Sequence, residues 1–97
     1  MNYQKLSTAA HKVIIELESD KLSYTSDDTK QSIKNQMIFI KKYADQNIDP
    51  RIKLDGNQFT YGIISSREFS SPDELEIKAL IDDVSKMLEK ITSNEKN

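Results

Sequence analysis

The sequence predicts an all-α chain of four helical segments, and three observations carry that reading. Apolar residues recur at steps of three and four along most of the chain, which draws stripes on helices; half-buried strands would alternate strictly. Only two glycines and two prolines punctuate 97 residues, so long helices with few breaks are expected. Helix-start chemistry stands at Thr25-Ser26-Asp27-Asp28 and again at Ser71-Pro72-Asp73-Glu74, where hydroxyl and carboxylate groups can satisfy the amides that open a helix. The length suits one domain, expected over residues 1–92, with a polar flexible tail at 93–97.

Taken in order, Tyr3, Leu6, Ala10, Val13, Ile14 and Leu17 mark a first helix over residues 3–19. A second begins near Asp27 and buries Ile33, Met37, Ile40 and Ala44, with Ile38, Phe39 and Tyr43 widening the stripe until it reads as the most buried helix. Asn47-Ile48-Asp49-Pro50 ends it, because the residue before proline resists helical angles, while Asp as a cap and Pro at the first helical position favour a new start. The last helix spans residues 72–92. Pro72 has no amide to satisfy there, and Asp73 and Glu74 complement the positive helix end. Leu75, Ile77, Ala79, Leu80, Ile81, Val84, Met87, Leu88 and Ile91 follow at helical spacing.

Residues 51–66 read two ways. Ile52, Leu54, Phe59 and Tyr61 alternate around Asp55-Gly56, a dipeptide that favours a hairpin turn. An isolated two-stranded hairpin is marginal without a sheet to join. As a helix, the segment aligns Ile52, Phe59 and Ile63 on one face, with Gly56 costing about 1 kcal/mol relative to alanine. The helix is the preferred reading, with a hairpin or an irregular segment as the alternatives.

The chemical inventory is sparse. With no cysteine and His11 as the single histidine, thiolate chemistry, Cys-based zinc sites and paired-histidine metal motifs are absent from the sequence. Gly56 and Gly62 stand outside any phosphate-binding loop pattern. The carboxylate pairs Asp27-Asp28 and Asp73-Glu74 sit at helix starts, where negative charge is favourable, and Asp82-Asp83 lies on a polar helix face. No enzyme activity, cofactor or metal is therefore expected. The net charge of -2, with a last helix at -3 between Asp73 and Lys90, argues against nucleic acid as partner. The longest apolar run, Met37 to Ile40, falls far short of the roughly 20 residues of a membrane span, and the opening residues lack a secretory pattern. A cytoplasmic location is expected, which leaves room for peripheral association with a membrane.

From Asp49 onward, Asp49-Pro50-Arg51-Ile52, Phe59-Thr60-Tyr61-Gly62-Ile63-Ile64, Glu68-Phe69 and the rhythm of apolar pairs between Leu75 and Met87 make up a recognisable pattern. Over roughly residues 13–88 the chain resembles the immunity proteins of pediocin-like (class IIa) bacteriocins, in particular the enterocin A immunity type. The resemblance implies an antiparallel four-helix bundle that protects the cell from inside without catalysis. It does so by binding the membrane components of the mannose phosphotransferase permease once the bacteriocin has engaged them. It also places selectivity in the C-terminal half. Aromatic and basic anchors among polar residues are then the candidate partner-binding positions: Arg51, Tyr61, Arg67, Lys86 and Lys90. The alternative function is that of a small phage- or plasmid-encoded regulator, such as a repressor or an antitoxin.

Overall fold

Each long helix begins or ends where a side chain or a backbone twist settles its unpaired amides and carbonyls. The computed structural model describes residues 2–19, 22, 25–54 and 56–95, and among these the chain is all-helical. Its α-helices are α1 (Asn2–Glu18), α2 (Asp27–Ala44), α3 (Tyr61–Glu68) and α4 (Pro72–Glu95), with a 3-10 turn at Pro50–Leu54. Ser26 is extended (φ -62°, ψ 150°), and its hydroxyl accepts the Thr29 amide at 3.2 Å, opening α2 where the sequence predicts. At α4 the predicted capping box forms. Ser71 Oγ accepts the Glu74 amide at 3.3 Å, and Glu74 Oε1 accepts the amides of Ser71 and Ser70 at 3.0 and 3.1 Å.

α2 stops before the proline does its work. Asn47 adopts φ 60°, its amide donates to Ala44 O at 2.9 Å, and the Ile48 amide reaches back to Tyr43 O at 2.9 Å. This pairing is a Schellman motif, with Asn in the left-handed position that most residues avoid. Asp49 then caps the 3-10 turn, its Oδ1 accepting the Arg51 amide at 2.9 Å.

The core follows the predicted stripes. α1 buries Leu6, Ala10, Val13, Ile14 and Leu17; α2 buries Ile33, Met37, Ile40 and Ala44; α4 buries Ile77, Ile81, Val84, Leu88 and Ile91. Each large aliphatic side chain removed from water in this way contributes about 1.5–3 kcal/mol. α1 packs on α2 and α4, and α3 touches the same two helices. Ser7, early in α1, bonds Asp45 just past α2, while Glu18 at the end of α1 pairs with Lys34 at 2.8 Å, so these two helices run antiparallel. The 24 residues of α4 extend about 36 Å, and the long axis of the molecule measures 42 Å.

The third segment departs from the expectation of a helix over residues 51–66, and it is not a hairpin either, since no strand occurs among the described residues. Gly56 has φ +87°, a left-handed conformation that no α-helix can pass through, so the chain breaks there and restarts its helical phase at Tyr61. Asp55 lies outside the described residues. The face expected to unite Ile52, Phe59 and Ile63 therefore does not exist. Ile52 and Ile63 are exposed, and only Phe59 is half-buried, against Phe39 and Tyr61. Two further residues on predicted stripes, Ile38 and Leu75, also face solvent. α4 continues to Glu95, past the expected limit at Thr92, while residues 96–97 of the expected tail lie outside the described residues.

Candidate functional site

Tyr61 opens α3 and turns inward. It is 4 % exposed, and its phenol shares a 3.0 Å hydrogen bond with Ser85 Oγ of α4. Burial pushes its ionisation above the ordinary 10.0, the Ser85 hydroxyl partly opposing that shift. Its ring continues a line of aromatic contacts, with Phe59 at 5.7 Å, Phe59 to Phe39 at 5.9 Å and Phe39 to Tyr43 at 4.9 Å, which fastens the irregular connection onto α2. Tyr61 is thus first a packing residue, and only its polar edge reaches a surface.

That surface is a groove of about 530 Å³ between α3 and α4. Tyr61 and Arg67 are the two sequence-derived candidates that the structure brings into it, joined by Ile63, Asp82 and Ser85. Arg51 lies elsewhere. Its guanidinium clasps the buried Asp49 through Nε at 3.1 Å and Nη2 at 2.8 Å, a two-pronged pair that holds the 3-10 turn. Lys86 and Lys90 are exposed on α4, outside the groove.

Sequence reasoning passed over Ile63, Asp82 and Ser85. Asp82 and Ser85 stand three apart on the polar side of α4, a spacing that puts them on one face and was the available signal. For Ile63 the signal pointed inward, because its exposure depends on the helical restart after Gly56.

The one histidine, His11, is exposed on α1. Ser7 sits one turn before His11, but its hydroxyl bonds Asp45. The Asp45 carboxyl is held below its ordinary 3.8 first by its hydrogen bond from Lys41, at 2.8 Å, and then by Ser7, with His11 contributing only through its charge. The Glu74 carboxylate is a structural buried acid, with its pKa lowered to about 2 by the Thr25 hydroxyl at 2.5 Å and by the two capping amides. Among the described residues, no group of three or more histidine, aspartate or glutamate side chains converges to hold a metal ion. No helix among them is long and apolar enough to cross a membrane.

No curated protein and no solved structure matches the chain significantly. A family model does match, over residues 6–90, from the first buried leucine of α1 to the last turns of α4, so that it takes in α2 and α3 whole and most of α1 and α4. The chain belongs to the Tsi6 family, a small helical family of immunity-like proteins.

Proposed function

We propose that this chain is an immunity protein, protecting its cell from a toxic polypeptide by stoichiometric, non-catalytic binding on the cytoplasmic side. The observation that carries this reading is the match of residues 6–90 to an immunity-like helical family. The surface chemistry supports it. A two-sided α3–α4 groove with an aromatic edge, an exposed isoleucine and an arginine suits protein recognition. The helices serve as an antiparallel four-helix bundle that presents this surface.

In its specific form the partner is the mannose phosphotransferase permease engaged by a class IIa bacteriocin, met by peripheral association at the inner face of the membrane. Support for that form is the sequence resemblance over roughly residues 13–88, and the Tsi6 family match supports immunity only in the broader sense. Expressing the chain in a sensitive strain and challenging it with a panel of class IIa peptides tests the specific form. Raised survival against one peptide supports it; unchanged killing by all of them, with receptor present and protein soluble, removes it. Immunity in the broader sense is tested by co-expression with toxic polypeptides encoded beside the chain, where growth rescue and a one-to-one complex are expected. Failure to rescue, combined with binding to its own promoter, would transfer the assignment to a repressor or antitoxin.

A further inference from the structure

Amphipathic helices place their large apolar residues inward, and α3 does so with Tyr61 and, in part, Ile64, but turns Ile63 outward. Its buried side is Tyr61 and Ser65, continued by Phe69 just past its end, while Ile63 stands 60 % exposed on the opposite side. Residues two apart on a helix are turned about 200° from each other, so Ile63 and Arg67 share the outer face, one turn apart. Ser65, fully buried, ties its hydroxyl to Gly62 O at 3.1 Å, and its small size lets α3 settle close to its neighbours. The outer face is not a flat one. Ile63 and Arg67 line both the groove against α4 and a second one of about 330 Å³ against α2, which makes them the crest of a ridge between two hollows.

The charges around the crest are unequal. Asp28 and Glu68 border the second groove, and Asp82 borders the first. Asp82 is held by Lys78 at 3.2 Å, whereas the side chains of Arg67, Asp28 and Glu68 make no hydrogen bond or ion pair with any described residue. With Asp82 paired to Lys78, two uncompensated carboxylates, Asp28 and Glu68, flank one guanidinium and one protruding isoleucine. Nucleic acid and anionic lipid would be repelled by this rim, and so would a second copy of the chain placing the same crest against itself. A cationic protein surface is attracted to it.

We infer that the Ile63–Arg67 crest of α3 is the contact ridge for a protein partner whose apolar pocket receives Ile63 and whose rim is basic where it faces Asp28 and Glu68. This inference rests on the immunity reading and names the surface that performs it. An isoleucine seated in a pocket and ringed by charge has the make-up of an interface centre, where a few side chains carry most of the affinity.

The test uses the full chain and the toxic polypeptide against which the wild-type chain protects, purified in an inactivated form. Ile63→Asp and the double variant Asp28→Lys/Glu68→Lys alter exposed side chains, so both should keep the wild-type helicity; the double variant should melt slightly lower, because Asp28 stands in the first turn of α2, where a negative charge is favourable. Calorimetric affinity should fall at least about 30-fold for Ile63→Asp. It should also fall for the charge reversal, which should lose the salt dependence of wild-type binding. Lys5→Glu/Lys12→Glu, in the groove between α1 and α4, should leave affinity unchanged. Wild-type protection that survives both ridge variants, or that is lost in the Lys5/Lys12 variant alone, overturns the ridge while leaving immunity intact. Ultracentrifugation showing a wild-type dimer that Ile63→Asp dissolves, with toxin affinity unaltered, reassigns the crest to self-association. If the wild-type chain neither protects against nor binds any such polypeptide, the immunity reading fails and the ridge assignment falls with it.

Discussion

Gln36 of α2 caps the start of α3: its Oε1 accepts the amides of both Thr60, at 2.8 Å, and Tyr61, at 3.0 Å, while its Nε2 donates to Thr60 Oγ1 at 3.0 Å. Thr60 itself makes no side-chain cap bond, so α3 depends on a neighbouring helix for the service that Ser26 and Ser71 perform locally for α2 and α4. Replacing Gln36 with alanine should cost about 1–2 kcal/mol and raise the hydrogen-exchange rates of the α3 amides more than those of α1 or α4. Gln36→Glu keeps both acceptor contacts and should restore most of the protection. Uniform exchange across all helices in Gln36→Ala would show that α3 does not depend on this cap.

The same dependence explains which parts of the molecule were legible in the sequence. α1, α2 and α4 carry their own period of apolar residues and, for α2 and α4, their own caps, so local chemistry and tertiary packing agree. α3 has neither. Its cap comes from residue 36, its inner face holds a serine, and its phase is reset by the left-handed Gly56. The Asp55-Gly56 dipeptide announced a change of direction but not its kind, since a hairpin and an interrupted helix use the same backbone freedom. The site was blurred for the same reason. Arg67 could be found by residue type, but Ile63 could not be placed outside without knowing where the helix restarts. Arg51 was drawn into the candidate set by its charge, although that charge is spent on Asp49 two residues away.

Glu74 makes stability depend on acid. Its pKa in the folded chain is about 2, against an ordinary 4.5, so folding favours the carboxylate, and the stability it contributes is full above pH 4.5 and lost as pH falls towards 2. Glu74→Gln should therefore differ most from the wild type at neutral pH and least near pH 2. Glu74→Ala, which strips both capping amides and Thr25 of their acceptor, should cost about 2 kcal/mol at pH 7. Thr25→Val removes the largest cause of the low pKa, so carboxyl carbon NMR should find Glu74 titrating closer to its ordinary value. A wild-type and Glu74→Gln pair with parallel stability curves from pH 2 to 7 would contradict the assignment.

Asn47 holds α2 closed through a backbone conformation and not through a side-chain contact. At φ 60° a β-branched residue meets its own carbonyl, and Asn47→Val should cost about 1–2 kcal/mol. In a chain of this size that lowers the melting temperature by roughly 4–16 °C. Asn47→Gly removes the steric penalty and should stay within a few tenths of a kcal/mol of the wild type. Thermal denaturation of the pair checks it, and equal melting temperatures for Val and Gly would mean that the turn relaxes to another geometry.

Tyr61 gives the opposite pH response. Burial against Ser85 favours the neutral phenol, so its contribution is full below pH 10 and is lost as pH rises above that point. Replacing it with phenylalanine keeps the ring contacts with Phe59 and removes one half-buried hydrogen bond, which should cost about 1 kcal/mol at pH 7. Lysine deprotonation weakens wild type and variant alike, so the difference between their urea-unfolding curves isolates the phenol. That difference should shrink between pH 9 and pH 11, because the wild-type chain must then either ionise a buried group or hold it neutral against the solvent. An unchanging difference over that range would mean that water reaches the hydroxyl, and the α3–α4 groove would then be open to its floor where Tyr61 and Ser85 now close it.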